Sequence, residues 1–470
     1  MPVTNRRLTS FLRIELQDGD NQTFVPGGTI IGYVQRSAQI VSSSACVNVR
    51  LHGRAKSKLN EGRDSINSNN NNHVSDICRG RFNLVDDRKN VQKLFEGPLH
   101  IPPGGDPAVW PFVLTIPTHV DPETLCPPES RQDTFIPQDP ANVAAHGLPP
   151  TCSGSDMGWG KYVEGFVEYF LKAELITISN GSSTTYESIM PITLTNTSPE
   201  PPISDFKLTC PRNMRLVSSH KLLPGRHGHE LSTSERMKKF WGSRSVPTMS
   251  FGLEVEVPTV LQLHNPEPIP FRIRVVPNWS KTSEAIRELP QKVKLTYAEM
   301  HIVVVTSVIG EGTFRSHAAS VEAEHPLQIP NMLKALEEEV EIPCTDTLPP
   351  VDIGKLIGLG LRAELAKSSW SPDSIRLNNS CSTYNVEQRH DLKWEVHCEI
   401  AGESVKAIGR EALLILPVHS AEASGEPIQP GSHIYWPSKE NEAWIQPPPE
   451  GDAPPSFTEV QKEDMMYDKR

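Results

Sequence analysis

The sequence predicts an all-β protein of two tandem β-sandwiches, and three observations lead there. Segments in which apolar and polar residues alternate at every second position recur along the chain, as in residues 45–51. A period of two is the mark of a half-buried strand. No run of helical periodicity separates these segments, which selects antiparallel sheets packed face to face. Finally, 43 prolines and 30 glycines punctuate the 470 residues, and proline interrupts any long helix in its path.

Residues 1–198 are expected to form the first unit. Residues 8–14 read as a strand, with Asp18-Gly19-Asp20-Asn21 as its turn. Gly27-Gly28 suits a tight turn before the strand at 29–34. Residues 45–51 set Cys46, Asn48 and Arg50 against Ala45, Val47, Val49 and Leu51. The asparagine-rich stretch 60–76 reads as a disordered insertion. Strands resume at 82–85, 93–99 and 110–117, the last bracketed by prolines like an edge strand. A second disordered insertion is expected near 118–158, and strands at 162–177 and 188–194 close the unit.

The proline-rich linker 199–203 favours polyproline II geometry. The second unit, 204–417, carries expected strands beginning near Phe206 and at 250–257, 270–276, 292–307, 358–364, 382–387, 392–400 and 412–417. One brief helix is expected at 332–338. In residues 418–470 the aliphatic alternation ends, acidic side chains outnumber basic ones and prolines cluster, so a disordered acidic tail is expected.

Composition narrows the function. The formal charge of −11 argues against nucleic acid as a partner. The aliphatic run Ile302-Val303-Val304-Val305 is far short of a membrane span. Arg6, Arg7 and Arg13 break any apolar leader core, which predicts a cytoplasmic protein. Eight cysteines occur with no CxxC spacing, so reduced thiols are expected and structural zinc is not.

Several segments occur in an informative order: Phe24-Val25-Pro26-Gly27-Gly28-Thr29-Ile30-Ile31-Gly32-Tyr33-Val34, Leu51-His52-Gly53-Arg54-Ala55 and Leu94-Phe95-Glu96-Gly97-Pro98-Leu99. Trp110-Pro111-Phe112, Val167-Glu168-Tyr169-Phe170-Leu171-Lys172-Ala173-Glu174-Leu175 and Pro191-Ile192-Thr193-Leu194 follow. Together they resemble an arrestin, specifically the fungal α-arrestins, or arrestin-related trafficking adaptors, over nearly all of 8–417. The resemblance implies immunoglobulin-like arrestin N and C sandwiches with a cupped inner surface. It also implies a non-enzymatic adaptor without cofactors, recruited to the plasma membrane or endosomes. Such an adaptor binds membrane transporters or receptors and links them to a WW-domain HECT ubiquitin ligase for endocytosis.

The family docks its ligase through a PPxY motif, and here Pro454-Pro455-Ser456-Phe457 stands in that place, with phenylalanine for tyrosine. A proline pair in polyproline II geometry fits an aromatic groove at little entropic cost. Lys462 and Lys469 are candidate ubiquitin acceptors. A basic stretch (Lys207, Arg212, Arg215, Lys221, Arg226) continues into Arg236, Lys238, Lys239, Phe240, Trp241 and Arg244, a candidate contact for anionic lipid or phosphate.

No catalytic constellation is legible. His227-Gly228-His229-Glu230 lacks a third strong metal ligand, Gly354 to Gly360 lacks phosphate-loop spacing and is expected at a strand edge, and Glu337-Glu338-Glu339 reads as a solvated face. The alternative to the ligase adaptor is a ligase-independent cargo-sorting scaffold of the same fold, a retromer-type coat subunit. An enzyme on a sandwich and an extracellular adhesion module are weaker alternatives.

Overall fold

The computed structural model describes residues 11–17, 19, 22–60, 77–124, 133–158, 161–179, 182–226, 232, 246–312, 315–336, 338–362 and 377–420. Strand dominates, and among the described residues no helix is long and apolar enough to cross a membrane.

The first half contains β1 (Arg13–Leu16), β2 (Thr23–Phe24), β3 (Thr29–Arg36), β4 (Ile40–Asn60), β5 (Ile77–Val85), β6 (Val91–Ile101), β7 (Ala108–Thr115), β8 (Cys152–Gly158), β9 (Lys161–Ser179) and β10 (Ser182–Leu194). A small antiparallel sheet runs β1-β3-β7. The long β4 is the hub of the other, pairing antiparallel with β5, β6 and β9, while β9 also pairs with β8 and β10. The registers Val47↔Leu175, Val49↔Ala173 and Leu51↔Leu171 set apolar residues on one face. Ile14, Ile30, Val34, Trp110 and Phe112 of the smaller sheet join them in one core. The period-two pattern therefore acts as expected, burying one face of each strand.

The second half contains β11 (Thr197–Ser198), β12 (Leu208–Thr209), β13 (Arg212–Ser218), β14 (Thr248–Pro258), β15 (Val260–Gln262), β16 (Arg272–Pro277), β17 (Val293–Glu311), β18 (Ser316–Pro326), β19 (Glu341–Ile342), β20 (Val351–Asp352), β21 (Cys381–Ser382), β22 (Val386–Ile400), β23 (Glu403–Leu416) and β24 (Val418–His419). β14 collects β12, β13 and β16, while β17, β22 and β23 pair in series. Met249, Phe251 and Leu253 of β14 meet Met300, Ile302 and Trp394 in a second core.

The halves are in contact. Gly165 of β9 lies under Val308 of β17 so closely that a Cβ there would sit 2.2 Å from Val308 Cγ1. Val308 shares a small apolar cluster with Leu59, Cys78 and Val163. Ser57 donates to the Ile309 carbonyl, Asn385 Nδ2 donates to Ser57 at 3.0 Å, and the Ile309 amide donates to the Asn385 carbonyl at 3.0 Å. Tyr384 and Val386, late in sequence, are buried in the first core.

Several expectations need correction. Within 118–158, the described residues hold a helix, Pro140–Ala145, and strand β8, where a disordered insertion was expected. Asp139 caps that helix by accepting from the Asn142 amide, and Pro140 occupies its start. The glycines and serines of β8 resemble loop composition, but small side chains suit its close packing: a Cβ on Gly154 would meet Thr306. No strand forms at 358–362. The helix Ile353–Ile357 precedes instead, capped by Asp352 and ended by Gly358 at φ 62°, a left-handed conformation that favours glycine. The helix expected at 332–338 runs Ile329–Lys334, beginning earlier than its apolar spacing suggests.

The chain also stays ordered past 417, because β24 pairs in parallel with β11 beside the linker. Residues 61–76 and 421–470 lie outside the described residues.

Candidate functional site

β4 carries a basic residue at each of five alternate positions: Arg50, His52, Arg54, Lys56 and Lys58. Because strand side chains alternate, all five emerge on the face opposite the Val47-Val49-Leu51 core. The register with β9 places them opposite Lys172, Phe170, Glu168, Phe166 and Glu164 in turn. On the other edge β5 sets Arg81 beside Lys56 and Arg79 beside Lys58. The result is a basic ladder interleaved with aromatic rings.

Gly53 positions this ladder. A Cβ there would lie 2.6 Å from the Tyr169 ring and 2.7 Å from Val85, so only glycine fits. The β4–β5 register shifts between Gly53 and Arg54, where Leu84 is the extra residue, so the bulge lies on β5 while β4 keeps its alternation along β9. Tyr169 is itself fixed by donating to the Pro149 carbonyl at 2.8 Å.

The aromatic rings form the floor. The His52 ring stacks on Phe170 at 4.8 Å, and the Arg54 guanidinium lies 4.9 Å from the same ring's centroid. The Lys58 ammonium sits 4.4 Å above Tyr162, and the Lys56 ammonium 5.9 Å from the Phe166 centroid. Cation–π contacts of this kind contribute about 0.5–1 kcal/mol at exposed sites and more when desolvated.

Carboxylates neutralise the ladder unevenly. Arg54 Nε donates to the buried Glu168 at 2.5 Å. Arg50 meets Glu174 at 3.4 Å, and Lys172 meets Glu174 and Glu187 at 2.7 and 2.6 Å. By contrast, Lys56, Lys58, Arg79 and Arg81 form no ion pair within 4.0 Å among the described residues, although Glu168 and Glu164 attract Lys56 from farther off and Glu311 of β17 stands opposite Arg79 in register. Lys56 is only 8% exposed, and burial followed by the neighbouring Arg54 charge pushes its pKa down. Burial likewise lowers the pKa of His52, against the pull of Asp87 at 3.6 Å. Between these strands opens a cavity of about 110 Å³ lined by His52, Arg54, Arg81, Asn83, Asp87 and Phe170.

The second half has a charged sheet face of opposite character. There Arg410 pairs with Glu322 and Asp391 at 2.8 and 2.7 Å, and Lys393 with Glu324 at 2.7 Å. Lys406 and His397 meet Glu395 at 2.5 and 2.6 Å. Its cations are matched by carboxylates, so it offers an anion little. The cations of β4 and β5 that lack a close ion pair make the first face the candidate anion-binding surface.

The residues singled out from sequence lie elsewhere. Pro454, Pro455, Ser456, Phe457, Lys462 and Lys469 fall outside the described residues, as do Arg236, Lys238, Lys239, Phe240, Trp241 and Arg244, and His227 to Glu230. Of the earlier part of the basic stretch, Arg212 pairs with Glu254 at 3.6 Å and Arg215 donates to the Lys406 carbonyl at 2.8 Å. Those two cations are thus engaged in holding β13. Among the described residues no group of three or more His, Cys, Asp or Glu side chains is arranged to hold a metal ion.

The ladder itself was missed from sequence, although Arg50-Leu51-His52-Gly53-Arg54-Ala55-Lys56-Ser57-Lys58 shows the alternation. The strand was ended at Leu51, seven positions too early to bring the later lysines onto the face of Arg50. No protein-family model matches this sequence, and no curated protein matches it either.

Proposed function

We propose that this chain is a non-enzymatic adaptor of the α-arrestin kind, built from two tandem immunoglobulin-like sandwiches. One spans 1–198 and the other 204–417, joined by the linker 199–203. The division is supported by two large cores, one drawn mainly from Leu12 to Leu194 and the other from Phe206 to Ile415. The basic ladder of β4 and β5 takes acidic segments of membrane transporters or receptors. The tail then brings a WW-domain ubiquitin ligase to the complex through Pro454-Pro455-Ser456-Phe457.

The observation that carries this reading is a set of three exposed or half-exposed cations, Lys58, Arg79 and Arg81, with no ion pair within 4.0 Å among the described residues, on one aromatic-floored face. Exposed ion pairs contribute about 0.2–1 kcal/mol each, so the three accessible cations support weak binding. Weak contacts suit an adaptor, because a second attachment at the membrane or through the tail multiplies them as avidity.

Fluorescence anisotropy with a glutamate-rich peptide tests the reading. Binding should weaken as salt rises and fall about tenfold or more in the Lys58→Glu, Arg79→Glu double variant. Equal affinity in the variant would reject the ladder as the cargo surface.

Phe457 in the place of the family's tyrosine supports a second reading, a ligase-independent sorting scaffold. Co-purification with coat subunits in place of a ubiquitin ligase distinguishes it.

A further inference from the structure

We propose, resting on the ladder as the cargo surface, that its row formed by Lys56 and Arg81 is an anchor for a single carboxylate. It takes one glutamate or aspartate side chain of an extended partner segment whose residues two positions to either side are uncharged.

Register fixes the charge of each row across the sheet. Residues directly opposite on neighbouring antiparallel strands have Cβ atoms about 4.5–5.5 Å apart, and same-face residues along one strand repeat every ~6.8 Å. Glu164 of β9, Lys58 of β4, Arg79 of β5 and Glu311 of β17 stand side by side in one row, two carboxylates to two cations. Glu168, Arg54 and Asn83 form another, in which Glu168 pairs directly with Arg54. Between them lies the row of Phe166, Lys56 and Arg81, which holds two cations and no carboxylate. Among the described residues β17 pairs with β5 at Arg79 alone, so it brings no carboxylate into register here.

Like charges directly opposite destabilise a sheet, and Lys56 and Arg81 are such a pair. Burial, then the charges of Arg54 and Arg81, hold the Lys56 pKa down, against the pull of Glu168 and Glu164. An incoming carboxylate relieves this repulsion. Lys56 is buried and acts through its field, while the exposed Arg81 makes the contact. Next to Arg81 the cavity of about 110 Å³ gives room for a carboxyl group, with the Asn83 amide in its wall. Asp87 lines the same cavity but lies at the His52 end, 3.6 Å from Nδ1.

The backbone of this row is held from the opposite face. Ser57 and Gly80 are opposite in register, and a Cβ on Gly80 would lie 2.5 Å from Ser57 Oγ. Ser57 in turn donates to the Ile309 carbonyl and accepts from Asn385. Preorganisation of this kind lowers the ordering cost of binding. Acidic residues two positions along the partner would meet Glu164 and Glu311 on one side and Glu168 on the other, so the anchor selects against a continuous acidic repeat.

The test is fluorescence anisotropy with the full chain and two labelled peptides, one rich in glutamate and one with a single glutamate in a serine–glycine background. The second should bind within about threefold of the first at physiological salt. Arg81→Gln should weaken the single-glutamate peptide about tenfold, Arg81→Lys should restore most of the loss, and Lys58→Gln or Arg79→Gln should change it less than about twofold. Because Arg81→Gln removes the repulsion with Lys56, its urea midpoint should equal or exceed that of the parent, which separates lost binding from lost folding. Equal losses in the three glutamine variants would overturn the anchor and leave the ladder as cargo surface. The same holds if only the glutamate-rich peptide binds. Failure of both peptides to bind the parent protein would overturn the anchor and the ladder reading together.

Discussion

Gly165→Ala probes the contact between the halves with a single methyl group. The added Cβ would lie 2.2 Å from Val308 Cγ1, where an ordinary carbon–carbon contact is about 3.5–4.0 Å. Both residues are buried, and Val308 is held in the cluster with Leu59, Cys78 and Val163, so neither strand can yield without breaking other contacts. Overpacking of this kind costs about 1–3 kcal/mol, offset by about 0.4–1 kcal/mol because alanine restricts the unfolded chain. The net expectation is a loss of about 1–2 kcal/mol.

Val308→Ala alone leaves a small void and costs a similar amount. Combined, the two substitutions relieve each other, since the removed Cγ1 vacates the space that the new Cβ needs. A double-mutant cycle by urea denaturation should then give a coupling of about 1–3 kcal/mol in the restoring direction. Additive losses, or a Gly165→Ala protein as stable as its parent, would refute the docking of β9 against β17.

Acid should weaken the second core through His390. This ring is buried, shares a hydrogen bond with Ser380 at 2.9 Å, and has its pKa pushed down to about 4 by burial and then by His325. The unfolded chain, titrating near 6.5, binds a proton that the folded one refuses. Stability present above pH 6.5 is therefore lost as pH falls towards 4, by up to about 3 kcal/mol. Urea midpoints between pH 7 and 4.5 should fall more steeply in the wild type than in His390→Gln, and equal slopes would exclude the histidine as the source. In the tail, Phe457→Tyr restores a hydroxyl whose hydrogen bond contributes about 0.5–1.5 kcal/mol, so a tail peptide should bind a WW domain about tenfold more tightly. A pull-down in which neither peptide binds would remove this motif as the ligase dock.

The legible part of the fold is the part written in local alternation. β3, β7, β9, β14 and β17 were all foreseen within a few residues, because each carries apolar side chains on one face that must be buried. β18 escaped notice because its Ser-His-Ala-Ala-Ser-Val-Glu-Ala-Glu-His-Pro sequence has little apolar contrast; it is a strand because β17 offers it eleven residues of pairing. β8 hid behind loop-like composition for the same reason. Of the site, the basic residues were visible and their shared face was not, since that depended on how far β4 runs before it ends.

By itself the sequence determined the strands that alternate strongly, such as β3, β7 and β9, and which of their faces are apolar, because alternation follows from the geometry of one extended chain. Only the tertiary structure decided that Arg79 and Arg81 stand beside Lys58 and Lys56, and that Tyr384 and Val386 are buried in the first core. Register and docking are set by partners distant in sequence, through pairing and packing that no single segment encodes.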